Sequence, residues 1–176
     1  RKADGNDVIL FYFSGHGLDG AFLPIDFDGY GTRLEHTQIV RTLETSRAKH
    51  KICIADACYS GTLNFGLAST AKGLGNPIST QYFYEAFENS TGGMALLMSS
   101  SAREASWEDS GLEQGVFTYY LIKGMSGKAD FDRDGIISVK ELFGYVYHMV
   151  QEHTGGHQSP ALTGDYDDEM PVSIHR

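Results

Sequence analysis

The sequence predicts an α/β domain of three layers, with a mostly parallel sheet and helices on both faces. Three apolar runs carry that expectation: "DVILFYF" (7–13), "KICIAD" (51–56) and "MALLMSSS" (94–101). Each is apolar without strict alternation and stops abruptly at small or polar residues, the pattern of strands covered on both sides. Between the first two lies "RLEHTQIVRTLETSRA" (33–48), where Leu34, Ile39, Val40 and Leu43 fall near helical spacing. Strand, helix, strand in that order is the repeating unit of a parallel sheet.

The remaining elements follow in order. "YFYEAFENS" (82–90) reads as a weak helix, while "GVFTYYLIKGM" (115–125) and "SVKELFGYVYHMVQEH" (138–153) read as stronger ones. "EMPVSIHR" (169–176) reads as a closing strand. That makes four strands, fewer than a doubly wound sheet usually carries, so an edge of the sheet is expected to be missing. A chain of 176 residues has room for one domain with an ordinary core. No internal repeat is present.

Composition narrows the function classes. A formal net charge of −9 opposes binding to nucleic acid or to an anionic membrane, and no apolar stretch approaches the length of a membrane span. The opening "RKADGND" is polar and is not read as a signal peptide. Two cysteines, Cys53 and Cys58, lie too close together to frame a disulfide fold, so a reducing, cytoplasmic setting is expected.

In doubly wound sheets, functional groups stand beyond the carboxyl ends of the strands. His16 in "FSGHG" and Cys58 in "DACYSG" occupy two such ends. Gly15 and Gly17 leave the backbone beside His16 bare, so a substrate can approach. Cys53 and Cys58 differ by an odd number of positions, which assigns Cys53 to the core and Cys58 to the strand's exposed end. A thiol and an imidazole that converge there form a nucleophile and its proton-transfer partner. Backbone N–H groups of Gly17 and Cys58 would hold the developing oxyanion. The competing reading is a buried cysteine and a turn histidine with no shared role. A zinc site lacks the paired ligand spacing it needs.

"DVILFYFSGHG" and "KICIADACYSG" resemble the two catalytic segments of the caspase-like cysteine peptidases, the group of caspases, metacaspases and bacterial relatives. The resemblance implies a caspase-like fold over residues 1–176 and the dyad His16 and Cys58, with no cofactor required for the chemistry. The caspase signature Q-A-C-[RQG]-G is altered here, since Asp56 replaces Gln and Tyr59-Ser60 precede the glycine, a form closer to metacaspases. The family usually has two strands before the SGHG strand. The resemblance therefore implies an N-terminal segment that is missing or carried on another chain.

"SSSAREASWED" (99–109) resembles the caspase substrate-binding strand that ends Ser-Trp-Arg, and here the letters are Ser106, Trp107 and Glu108. Asp56 and Glu108 thus put negative groups where caspases place neutral or positive ones. A pocket floored by Asp56 would repel an acidic side chain and pair with Arg or Lys. The expected substrate is a protein or peptide with Arg or Lys before the scissile bond, with Asp56 as the main determinant. Trp107 would wall an apolar subsite or pack in the core. Residues 62–93 form an expected linker between large- and small-subunit-like parts, and its one basic residue, Lys72, is the candidate for self-cleavage. A monomer is expected, because the proline and acids of the closing strand blunt edge pairing.

"DFDRDGIISVKE" (130–141) matches the EF-hand calcium pattern, with Asp130, Asp132, Asp134, the Ile136 carbonyl, Ser138 and Glu141 as ligands and Gly135 at the sharp turn. A capping box between Ser138 and Glu141 would give much the same letters. Two other functions stay open on the sequence: a catalytically silent caspase-like scaffold, and a calcium-responsive interaction domain.

Overall fold

A computed structural model describes residues 3–18, 20–57, 90–101, 106–109, 111–112 and 114–175. In chain order the first elements are β1 (Val8–Ser14), β2 (His16–Leu18), β3 (Ala21–Leu23), β4 (Leu34–Glu35), α1 (His36–Glu44), β5 (His50–Asp56) and β6 (Gly93–Met98). They are followed by β7 (Glu108–Asp109), β8 (Gln114–Gly115), α2 (Val116–Lys123), β9 (Ile136–Ser138), α3 (Val139–His153), β10 (Ala161–Tyr166) and β11 (Pro171–Ile174). The expected helix at 82–90 and the linker at 62–93, apart from residues 90–93, lie outside the described residues, as do Cys58 and Lys72.

The central sheet has the order β1-β5-β6-β10. β1, β5 and β6 run parallel, and β10 is antiparallel to β6. Side chains alternate across the sheet, so Ile52 and Ile54 of β5 face one layer while Cys53 and Ala55 face the other. The first layer holds α2 and α3, which contribute Phe117, Leu121, Leu142 and Val146. The second holds α1, whose Ile39, Val40 and Leu43 lie one turn apart and pack on Leu96 and Met98. Burying each such side chain is worth about 1.5–3 kcal/mol, and this two-sided burial is why β5 and β6 read as unbroken apolar runs. The expected three layers are present.

β1 departs from the expectation that all three runs are covered on both sides. Ile9, Phe11 and Phe13 pack toward the α1 layer, whereas Val8, Leu10 and Tyr12 stay 42–55% exposed on the opposite face. β1 is the edge of the described sheet, and α2 touches that face through the hydrogen bond between Thr118 and Tyr12, leaving it half exposed.

The closing segment also falls elsewhere. It does form a strand, β11, but pairs with β9 in a separate two-stranded ribbon. The fourth strand of the central sheet is β10, which the interrupted pattern "ALTGDY" did not announce. The blunted closing strand therefore says nothing about the sheet edge, because β10 holds that place. Gly164 explains the interruption. It lies opposite Ala95 with φ at 116°, and any Cβ there would land on the Met94 carbonyl oxygen. Gly164→Ala is expected to cost roughly 3 kcal/mol or more, from left-handed strain plus the clash. Urea unfolding would measure this, and a loss below about 0.5 kcal/mol would mean that the β6–β10 pairing is not as tight as described.

Helix α3 starts on a complete capping box. The Ser138 hydroxyl accepts from Glu141 N at 3.3 Å, and Glu141 Oε2 accepts from Ser138 N at 3.0 Å. No helix among the described residues is long and apolar enough to cross a membrane.

Candidate active site

The carboxyl ends of β1 and β5 finish side by side. Their register runs from Val8 opposite His50 to Ser14 opposite Asp56, and Gly15 N–H then donates to the Asp56 carbonyl at 3.0 Å. His16 comes next and opens β2, which turns back on β3 with His16 opposite Leu23 and Gly17 opposite Phe22. Phe22 fixes this hairpin. It is fully buried, stacks on Phe13 at 4.4 Å and tilts against His36 at 4.4 Å. Leu18 on the outside and the buried Phe22 thus separate a solvent face from a core face, and His16 is on the solvent face.

On the β5 side, the backbone just before Cys58 is clamped. Ser99 Oγ accepts from Ala57 N at 3.2 Å and donates to the Ala57 carbonyl at 3.3 Å, while Ser99 N donates to Ala55 O at 2.8 Å. Ser99 is fully buried, so this clamp is shielded from competing water. The strand leaves the sheet from a fixed point.

Asp56 is 5% exposed. Ser106 Oγ donates to its Oδ1 at 2.6 Å, and Thr118 Oγ1 and Thr118 N donate to its Oδ2 at 2.6 and 3.3 Å. Because the Thr118 hydroxyl proton goes to Asp56, Tyr12 OH donates to Thr118 Oγ1 at 2.9 Å. Thr118 lies in the first turn of α2, whose N-cap, Gly115, has no side chain to offer. Asp56 therefore caps that helix from across the sheet, with its charge at the positive end of the helix dipole. Gly115 is also the residue that leaves room for Oδ2, since a Cβ there would approach it to 2.6 Å.

The segment 106–109 is tied down beside this carboxylate. Trp107 N donates to Gln158 Oε1 at 2.9 Å, and the fully buried Gln158 in turn donates to the Ser99 carbonyl at 2.7 Å. Trp107 is 44% exposed, and its ring stacks on His157 at 5.4 Å. Asp109 binds His153 Nε2 at 3.0 Å, and His153 Nδ1 meets Tyr120 OH at 3.0 Å. The Gly111 N–H and His153 hold the Asp109 carboxyl below its usual range. Cys53 contrasts with this polar setting, for burial pushes its thiol up to about 12. Cys53 is core, as its strand position predicted.

The family model of the caspase domain matches residues 1–170. The chain belongs to the caspase-domain family. This caspase domain is similar in fold to caspase-1 from Spodoptera frugiperda, with a TM-score of 0.54 and 17% sequence identity. The similarity covers 89% of this chain and 59% of that one, so the chain spans less than two thirds of its length. No curated protein sequence matches. The family is one of cysteine peptidases.

Within this caspase domain, the residues expected in the substrate pocket are brought together in part. Asp56 and Ser106 are in direct contact, and Trp107, next in the chain, is half exposed. Glu108 enters β7 opposite Gly115, and its side chain lies outside the described residues, as does all of Cys58. Thr118, Tyr12, Ser99 and Gly115 were not singled out from the sequence. Their roles depend on neighbours far away in the chain, and only the lone glycine before "VFTYYL" offered a hint of an uncapped helix start. A second group of acids stands apart: one oxygen each from Asp130, Asp132 and Asp134 lies within 4.8 Å of the other two.

Proposed function

We propose that this caspase domain cleaves peptide bonds after Arg or Lys, using Cys58 as nucleophile and His16 as proton-transfer partner. One observation carries the reading: His16 and Cys58 each follow by two residues the terminal pair Ser14–Asp56 of two adjacent parallel strands. The Cys58 thiolate attacks the scissile carbonyl carbon, and the amides of Gly17 and Cys58 receive the oxyanion. The imidazolium of His16 gives its proton to the leaving amine, and water then releases the acyl group from sulfur.

The preference for a basic residue rests on Asp56. A carboxylate offers about four acceptor positions, and the described residues fill three of those on Asp56. The remaining one, unfilled among the described residues, would take a guanidinium or ammonium group that enters past Gly115 and Trp107. An aspartate side chain brought to the same place would meet a like charge. Ser106 and Thr118 hold the carboxylate in one orientation beforehand, so little ordering remains for the substrate to supply.

Peptides that differ only in Arg, Lys or Asp before the scissile bond test this directly. Arg and Lys peptides are expected to exceed the Asp peptide in kcat/KM by roughly 100-fold or more, which corresponds to a few kcal/mol of charge discrimination. A preference for Asp would overturn the specificity. Absence of turnover on every peptide, together with an unreactive Cys58, would favour a silent scaffold.

A further inference from the structure

The loop 130–141 lies outside the catalytic end of the sheet and is built around its carboxylates. Its backbone turns through two left-handed residues, Arg133 at φ 64° and Gly135 at φ 78°. Those turns aim successive amides at the acids: Gly135 N reaches Asp130 Oδ2 at 3.0 Å, Asp134 N reaches Asp132 Oδ1 at 3.1 Å and Ile136 N reaches Asp134 Oδ1 at 2.7 Å. Glu141, the last residue of the loop, folds back across it and accepts from Phe131 N at 3.0 Å. Burial, followed by the charges of Asp132, Glu141 and Asp130, raises the Asp134 carboxyl above its usual value despite the Ile136 amide.

The Asp130 side chain carries the argument further. It is only 6% exposed. Its Oδ2 is occupied by Gly135 N and by His175 Nε2 at 2.7 Å. Its Oδ1 is buried and has no hydrogen-bond partner among the described residues. A buried carboxylate oxygen left bare is costly, and the donors that reach this carboxylate, Gly135 N and His175 Nε2, are both spent on Oδ2. No donor among the described residues satisfies it, and a cation held between it and the neighbouring acids would.

Calcium loops of this pattern usually work in pairs joined through a short strand, and here a ribbon within the same chain lies beside the loop. β9 is the segment that would otherwise pair with a second loop, and here β11 takes that place, with Ile174 opposite Ile136 and His175 N bound to Gly135 O at 3.1 Å. The same strand delivers the imidazole that occupies Oδ2 and leaves Oδ1 available.

We propose that residues 130–141 bind one calcium ion, with β11 substituting for the second loop of a pair. Asp130 Oδ1, Asp132, Asp134, the Ile136 carbonyl and Glu141 are the oxygen donors, with Ser138 acting through a water. All are hard oxygen ligands, which suits calcium better than zinc, and a bidentate Glu141 would bring their number above what strictly octahedral magnesium takes. Glu141 exchanges its bonds to Phe131 N and Ser138 for the ion, so occupancy is felt at the start of α3. The site goes beyond the peptidase reading and does not depend on it.

Calorimetry of the full chain with calcium chloride, and separately with magnesium chloride, tests the site. One calcium ion is expected per chain, with a Kd on the order of 10⁻⁵ to 10⁻³ M. At a hundredfold excess over Kd, Tm should rise by about 5–10 °C. Asp132→Asn, at an exposed position, should weaken binding at least about tenfold, as expected on removing one charged ligand, and leave Tm in chelator unchanged. The proposal is overturned if a chain folded by circular dichroism shows neither heat nor a Tm shift at about 10 mM calcium, well above that range. It is equally overturned if Asp132→Asn binds as tightly as the parent, or if magnesium matches calcium. In either of those cases the ion is only a counterion of a surface with net charge −9.

Discussion

Replacing Cys58 with alanine is expected to lower kcat/KM on an Arg or Lys peptide by about 10³-fold or more. On the proposed mechanism the sulfur makes the bond that splits hydrolysis into two easier steps. His16→Ala should lose a comparable factor, and the double variant little more, because the two groups act as one unit. Thiol labelling provides an independent check. The chain has two cysteines, and burial holds the Cys53 thiol near 12 with no exposure, so the native protein should take up one equivalent of an iodoacetamide-type reagent. Mass spectrometry should place the label on Cys58, and His16→Ala should slow its uptake at neutral pH. Activity in Cys58→Ala within about tenfold of the parent would remove the nucleophile assignment altogether.

The second large effect belongs to Asp56, where the proposed specificity and the stability of α2 share one carboxylate. Asp56→Ala removes the acceptor for the Ser106 hydroxyl, the Thr118 hydroxyl and the Thr118 N–H in one step. That leaves polar groups at the start of α2 unsatisfied and should cost about 1–3 kcal/mol of stability. The same variant should reduce the advantage of Arg over Asp peptides by roughly 100-fold, since the charge that separates them is gone. Asp56→Asn distinguishes the two roles. It keeps the size of the group and one acceptor oxygen but carries no charge. Cleavage of basic peptides should therefore drop far more than the unfolding midpoint. If Asp56→Asn kept the Arg preference within about threefold, Asp56 would be a helix cap and nothing more, and the basic specificity would need another source.

These two sites also mark how far the sequence could be read. His16 and Cys58 became candidates on local features alone, namely strand ends, flanking glycines and the SGHG and DAC segments. The three parallel strands were legible for the same reason, as was the 130–141 loop, in which almost every hydrogen bond spans ten residues or fewer. The partners of Asp56 were not legible. Thr118 lies 62 residues from it, Ser106 lies 50, and Tyr12 reaches Thr118 across 106. Asp130 and His175 are separated by 45. β10 was missed because Gly164 and Asp165 break its apolar pattern, although the close approach to Met94 is what requires a glycine there.

Residue order alone therefore determined the three parallel strands, the family resemblance and the acidic loop, since periodicity and turn chemistry act over one or two turns of chain. Packing decided the rest: β10 instead of the closing strand at the sheet edge, the exposed face of β1, and the donors that surround Asp56 and Asp130. A hydrogen bond requires two groups to lie within about 3 Å, and for groups far apart in the chain only the layering of helices on the sheet brings them that close.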